Sequence, residues 1–97
     1  MAGQFGNKIR ALREKQNLLQ RQVAAQLDLD TPLLSKIERG ERTAKKEIVT
    51  QLAQLLNADK NELLTLWLAD QVFAVINGEE NADEALKSVS KKIKKQS

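Results

Sequence analysis

Apolar residues recur at helical spacing along the whole chain, and they divide it into six predicted helices. In the first segment, Phe5, Ile9 and Leu12 lie at positions i, i+4 and i+7, which predicts a helix from about Phe5 to Gln16. Residues 1–4 precede this pattern and are expected to be frayed. Because every apolar segment has this period, the predicted fold class is all-α.

Two short helices joined by a tight turn are predicted within residues 18–42. The first has a narrow apolar stripe of Val23, Ala24 and Leu27, in which the small Ala24 lets a second helix approach closely. The second is predicted from Thr31 to Arg39. Its boundaries carry the expected residues, with Leu29 in the corner: Asp30 at the N-cap, Pro32 in the first turn and Gly40 just past the end.

The remaining three helices are more apolar than the first three. The fourth has a wide apolar face made by Ile48, Val49, Leu52, Ala53, Leu55 and Leu56. The fifth starts at the cap residues Asp59 and Glu62, and more than half of its circumference is apolar: Leu63, Leu64, Leu66, Trp67, Leu68, Val72, Phe73, Val75 and Ile76. The sixth follows Asn81 and carries a short heptad-like seam of Ala82, Leu86, Val89 and Ile93.

Length and composition fit one small domain and exclude several kinds of chemistry. The chain has 97 residues, 41% of them hydrophobic, and neither cysteine nor histidine. Disulfides, Cys/His zinc sites, thiolate nucleophiles and imidazole bases are therefore excluded, and no cofactor or metal is expected. Acidic neighbours such as Glu79 and Glu80, or Asp83 and Glu84, are better explained as caps and helix-dipole partners than as catalytic pairs. No signal peptide or membrane span is predicted, so the expected location is the cytoplasm.

The formal net charge of +3 is unevenly distributed. Residues 1–58 hold ten Lys and Arg against six Asp and Glu, residues 59–86 hold one against seven, and residues 87–97 hold five lysines and no acid. The first segment is therefore modestly basic, which attracts phosphates without specifying sequence. The tail from Lys91 is read as a solvated, frayed end, with a phosphate-contacting arm as the alternative.

The segment QRQVAAQL, followed by LSKIERGER, resembles the helix-turn-helix of the XRE class, the transcription regulators similar to phage repressors and Cro. The resemblance covers roughly residues 5–66. It departs from the family pattern at Leu19, where Thr or Ser is usual, and at Asp28, where Gly is usual. It implies a compact helical DNA-binding core at residues 1–58. The two C-terminal helices predicted from the apolar pattern at residues 59–97 extend this core, and all of it is expected to form one compact unit.

The resemblance also implies roles for individual residues. With Leu34 and Ile37 inward, the second helix of the motif presents Thr31, Pro32, Leu33, Ser35 and Lys36 outward, and the family reads bases from such positions. Leu33 has a second interpretation as a partly exposed packing residue. In the family the residue matching Gln20 contacts a phosphate; the basic residues after the motif are expected to contact phosphates too: Arg39, Arg42, Lys45 and Lys46.

A structural ion pair is implied by the same resemblance, between Arg13 on the first helix and Glu38 at the end of the second motif helix. A solvated charge is the alternative for Arg13. The core is predicted to close among the first four helices, around Ile9, Leu12, Val23, Leu27, Leu34, Ile37, Ile48, Leu52 and Leu55.

The apolar residues beyond residue 58 are not needed to complete that predicted core. We expect it to form a homodimer interface, with anchors at Leu66, Trp67, Phe73, Ile76, Leu86 and Val89. The alternative is that the last helix folds back and covers the fifth within one chain. The predicted function is a non-enzymatic, sequence-specific regulator of repressor or restriction-modification controller type, which binds double-stranded DNA as a homodimer on an inverted repeat. The rival is an antitoxin or interaction module that offers the C-terminal helices to another protein.

Overall fold

The computed structural model describes residues 3–96, and the predicted all-α fold class is confirmed. Expectations about Met1, Ala2 and Ser97 lie outside the described residues. Six helices follow one another along the described part: α1 Gln4–Lys15, α2 Gln20–Gln26, α3 Thr31–Glu38, α4 Lys46–Leu55, α5 Lys60–Ile76 and α6 Ala82–Gln96.

Carboxylates cap three of the helix starts. Asp30 accepts a hydrogen bond from the Leu33 amide at 2.8 Å, and Asp59 accepts from two amides of the first turn of α5. The start of α1 is capped from a distance, because the Asp70 carboxylate on α5 accepts from the amides of Gln4 and Phe5 at 3.0 and 2.9 Å. Fraying up to residue 4 was therefore a wrong prediction for Gln4.

A residue with positive φ follows each of the first five helices, with φ between 56° and 81°: Asn17, Asp28, Gly40, Asn57 and Gly78. The first four helices end in the same way, whereas α5 ends at the extended residue Asn77. The next amide then often donates back into the last turn, as Leu18 does to the Arg13 carbonyl at 3.0 Å. Asp28 adopts this left-handed conformation in the place where the family usually has Gly, so the departure leaves the turn geometry intact.

The core lies mainly where the sequence pattern placed it, with one shift of phase on α4. Its buried face there consists of Val49, Leu52, Ala53 and Leu56, whereas Ile48 and Leu55 are only partly buried. Leu12 on α1 is also only partly buried, in contrast to the prediction. The other buried apolar side chains are Phe5, Ile9, Val23, Ala24, Leu27, Leu34, Ile37, Ala44 and Leu63.

The first half of α5 belongs to this core, so the prediction that four helices close it was wrong. Leu63 is completely buried, and α5 packs against both α4 and α1. Leu66 and Trp67 are partly buried against the same core, and the Trp67 indole donates to the Ala44 carbonyl at 2.8 Å. These two residues pack within the chain, so less of their surface is left for the dimerisation predicted for them.

The second half of α5 and all of α6 remain exposed. No residue of α6 is buried, and Phe73 and Val75 on α5 are 56% and 78% exposed, so α6 does not cover α5 in the way the alternative interpretation required. The basic end of α6 is helical up to Gln96, which corrects the prediction of a frayed tail over the described residues. Lysines in the last turn stabilise this helix because their positive charge is attracted to the partial negative charge of its last carbonyl groups. None of the helices described could span a bilayer.

Candidate nucleic-acid interface

The turn between α2 and α3 fixes the angle at which the two helices cross. After the left-handed residue Asp28, the Leu29 amide donates to the Ala24 carbonyl at 2.9 Å, and the Leu29 side chain packs against the core. Val23, Ala24 and Leu34 are buried, and α2 and α3 pack on each other. The result is a rigid corner with α3 on the outside, and this is the arrangement of a helix-turn-helix.

Helix α1 holds α3 from behind at very close range. Gly6 is buried, and a Cβ atom placed on it would lie 2.3 Å from the Glu38 carbonyl oxygen, so no larger residue fits without a backbone shift. This close approach could not be predicted from the sequence, because a glycine inside a helix gives no local sign of what packs against it. The close approach fixes the C-terminal end of α3.

A buried carboxylate joins the first three helices. Glu38 is 4% exposed, and it accepts hydrogen bonds from Arg13 Nε at 2.7 Å and Arg13 Nη2 at 3.0 Å in a bidentate pair. Arg13 also donates to the Leu18 carbonyl at 2.8 Å. The hydrogen bonds to Glu38 raise the pKa of Arg13 above its ordinary value, so the guanidinium stays charged.

Gln20 completes this network. Its side-chain nitrogen donates to Glu38 Oε1 at 2.9 Å. Helix α2 starts here without a side-chain cap from Leu19; instead the Gln22 side chain accepts from the Leu19 amide at 2.8 Å. The family resemblance implies a phosphate contact for Gln20, and the structure shows an additional, unpredicted hydrogen bond to Glu38.

The N-terminal part of α3 is open on its outer side. Pro32 and Lys36 are exposed, and Thr31 and Ser35 are half-buried. Leu33 is half-buried and packs against the core, so it has the packing role that was its second interpretation. Of the five residues predicted to read bases, Pro32 and Lys36 are the most accessible.

Arg39 is hydrogen-bonded to two neighbouring side chains. Its guanidinium donates to the Ser35 hydroxyl and to both Glu41 carboxylate oxygens, with Nε–Oε2 at 2.6 Å. These hydrogen bonds raise the pKa of Arg39 and lower the pKa of Glu41. Both side chains of this pair are more than half exposed, so a phosphate can compete for the guanidinium at little cost.

The basic segment after α3 is held in place by Trp67, a contact that the sequence pattern did not predict. Arg42, Lys45 and Lys46 are exposed, whereas Ala44 between them is buried and its carbonyl accepts from Trp67. Lys45 is the N-cap residue of α4, and no side chain caps that helix. Three cations therefore lie on a short anchored segment beside unpaired amides of a helix start, which is a suitable environment for phosphate oxygens.

The residues predicted for dimerisation separate into two groups. Phe73, Leu86 and Val89 are exposed and Ile76 is half-buried, while Leu66 and Trp67 face the core. Val72 and Val75 are exposed too, and the sequence analysis did not select them as anchors. Within residues 3–96, no cluster of three acidic groups could hold a metal ion.

Comparisons with known proteins agree with this geometry. A family model described as "Helix-turn-helix domain" matches residues 4–66. Control protein C.MunI from a Mycoplasma species is 39% identical over 62 residues, which is 63% of this chain and 84% of that protein. The crystal structure of the restriction-modification controller protein C.AhdI from Aeromonas hydrophila is similar with a TM-score of 0.57 and 32% identity, over 61% of this chain and 89% of that one.

Proposed function

The chain belongs to the helix-turn-helix family of DNA-binding regulators, in its XRE class, and from this premise we propose that it is a homodimeric controller that binds an inverted-repeat operator. The observation that carries the proposal is the exposed outer side of α3, held rigid by the Glu38 network behind it and the Asp30 cap at its start. A B-DNA major groove admits one such helix. The proposed role is binding without catalysis, in the cytoplasm where the operator is.

Bases are read, in this proposal, by the accessible residues at the start of α3. Lys36 donates to guanine O6 and N7, and Pro32 makes apolar contact with a thymine methyl group. Thr31 and Ser35 are versatile hydroxyl donors, and Leu33 contributes mainly by packing. Because only Lys36 has a strong donor group, DNA shape is proposed to contribute to specificity as well.

Phosphates are bound by residues on both sides of α3. Arg42, Lys45 and Lys46 bind on the anchored segment, and Arg39 exchanges Glu41 for a phosphate oxygen. Gln20 lies at the start of α2, where it orients the Glu38 network. The second hydrogen of its side-chain nitrogen can donate to a phosphate oxygen. These contacts position the protein on DNA without reading its sequence.

Two copies are needed because one such domain contacts too short a half-site for operator specificity. Proteins of this architecture place two recognition helices about 34 Å apart in successive major grooves. The exposed apolar residues from Leu68 to Ile93 provide the surface for this pairing. One relative is named a control protein and the other a restriction-modification controller protein, and both names support the controller role.

An interaction module remains the second candidate, because the same exposed apolar residues could instead bind another protein. Light scattering of the purified chain separates the two. A stable dimer supports the controller, whereas a monomer or an aggregate that becomes soluble with a co-expressed protein supports the module.

DNA binding itself is tested by fluorescence anisotropy with duplex DNA at several salt concentrations. The control is a variant with Arg42, Lys45 and Lys46 all changed to Ala, which leaves the core and the Trp67 contact unchanged because these side chains are exposed. We expect the wild-type affinity to fall steeply as salt rises, and the variant to bind more weakly with a flatter salt dependence. Equal binding by both proteins would contradict the proposed phosphate contacts.

A further inference from the structure

Helix α6 combines an exposed apolar seam with a strong charge gradient, and none of its residues is buried. The seam consists of Ala82, Leu86, Val89 and Ile93, of which the last three are 41%, 52% and 62% exposed. The helix lies beyond residues 4–66, to which the family match is confined, so family membership does not account for it.

The charges of α6 and the turn before it are separated by position. Glu79, Glu80, Asp83 and Glu84 lie at the start, and Lys91, Lys92, Lys94 and Lys95 lie at the end. Lys87 in the middle pairs with Asp83 at 3.5 Å and Glu84 at 3.7 Å, but these pairs are exposed and screened, so the gradient persists. These charges also interact favourably with the helix dipole, because acids lie at its N-terminal end and lysines at its C-terminal end. The dipole does not explain why the apolar seam is uncovered.

We propose that α6 pairs with α6 of a second copy of this chain, in antiparallel orientation about a twofold axis. The inference rests on the proposed homodimer and specifies how the dimer is held. An antiparallel pair places the acidic start of each helix beside the basic end of the other. A parallel pair would place acid beside acid and lysine beside lysine, which is unfavourable at both ends.

The spacing of the seam fixes the register of the pair. Its intervals of four, three and four residues put Leu86 and Ile93 at a positions of a heptad and Ala82 and Val89 at d positions. In an antiparallel pair an a residue faces a d residue. A twofold axis between positions 87 and 88 therefore places Leu86 opposite Val89 of the second copy and Ala82 opposite Ile93 of the second copy.

The seam alone is short, and the exposed end of α5 extends the contact. A stable interface buries about 800 Å² on each partner, which is more than four side chains of one 15-residue helix supply. Leu68, Val72, Phe73 and Val75 are exposed on the element directly before α6 and add the missing apolar area.

Single cysteine variants test the orientation cleanly, because the chain has no cysteine of its own. Ala82→Cys and Ile93→Cys are prepared separately, oxidised alone and as an equal mixture, and analysed by mass. We expect the mixture to form the disulfide between the two variants while each variant alone forms little. Neither change disturbs the monomer, since α6 has no buried residue.

Disulfide formation by each variant alone would indicate a parallel pair and overturn the proposal. A dimer in light scattering without the mixed disulfide would place the interface elsewhere, and a monomer that pairs only with another protein would also contradict the proposal. In the first two cases operator binding still tests the proposed function separately, because it is measured by anisotropy on unmodified protein.

A charge exchange tests the electrostatic part. Asp83→Lys together with Glu84→Lys should raise the dimer dissociation constant about tenfold or more at low salt, since the two introduced lysines of one copy then lie beside Lys91 and Lys92 of the other. Adding Lys91→Glu and Lys92→Glu to the same chain puts opposite charges beside each other again at these positions and should restore dimerisation to within about threefold of wild type. Failure of this rescue in sedimentation experiments would contradict the antiparallel pairing.

Discussion

At the residue scale, Glu38 links the first three helices of the fold. A buried carboxylate is stable only when its oxygens are hydrogen-bonded, and here Arg13 supplies two donors and Gln20 a third. Resemblance to a family predicted the Arg13–Glu38 pair, whereas the bond from Gln20 has no signal in the sequence. A residue that faces DNA in the expected mode thus also supports the core.

Removal of the Glu38 carboxylate should destabilise the protein strongly. Glu38→Ala leaves Arg13 buried without its partner, and we expect the free energy of unfolding to fall by about 3 kcal/mol. The matched control is Glu14→Ala, which breaks the exposed Arg10–Glu14 pair at 3.5 Å and should change stability by no more than about 0.5 kcal/mol. Urea denaturation measures both; equal shifts would show that the buried network adds nothing special.

Lys36 and Arg42 should differ in what they do to DNA binding. Lys36→Ala removes a base contact, so we expect the preference at one position of each half-site to relax by about 1–3 kcal/mol. Arg42→Ala removes a phosphate contact, so it should weaken all sequences alike and reduce the salt dependence. Anisotropy on the operator and its single-base variants tests this, with the exposed Lys60→Ala as control. A uniform loss for Lys36→Ala would contradict base reading.

At the level of the helices, local sequence patterns predicted where helices form. They failed where a cap or a buried face depends on residues far away in the sequence. The caps Asp30 and Asp59 could be predicted because each accepts a hydrogen bond from an amide only two or three residues further along the chain. The cap on α1 could not, because Asp70 is 65 residues from Phe5. On α4 both Ile48 with Leu55 and Val49 with Leu56 fit a helical stripe, and the packing of α5 selects the second pair.

The hydrogen bond from Trp67 ties α5 to the basic segment. Trp67→Phe keeps an aromatic ring in the core and loses the bond to the Ala44 carbonyl, which should cost about 1 kcal/mol of stability. We also expect weaker binding to all DNA sequences with unchanged base preference, because the segment with Arg42 and Lys45 is less fixed. Thr65→Ala on the same helix is the control, and an unchanged affinity for Trp67→Phe would show that the bond does not position the segment.

At the scale of the whole molecule, a packed helix-turn-helix unit is followed by exposed apolar helices. The molecule measures 42 × 29 × 21 Å, and within residues 3–96 the large exposed apolar residues, apart from Leu19, all lie between Leu68 and Ile93. The sequence showed that this region has more apolar surface than the core needs. It could not show where the core ends, because the same helix, α5, is buried at its start and exposed at its end.

Loss of the exposed apolar surface should separate dimerisation from folding. Phe73→Asp, or deletion from Gly78 onward, is expected to give a monomeric or unstable chain that binds an inverted repeat weakly, with residues 5–56 still helical in circular dichroism. Gln54→Asp places the same charge on an exposed position of α4 and should leave the dimer intact. A deletion variant that stays dimeric and keeps its affinity would show that α6 is not needed.

If α3 reads bases in two half-sites through a homodimer, selection of bound sites from a random pool of duplex DNA should recover both half-sites. We expect an enriched inverted repeat whose half-sites are centred about 10 base pairs, or a multiple of that, apart. Selection with Lys36→Ala should lose the preference at one position of each half-site. Enrichment of no sequence, or of a single unrepeated site that does not change with Lys36→Ala, would contradict base reading by a homodimer.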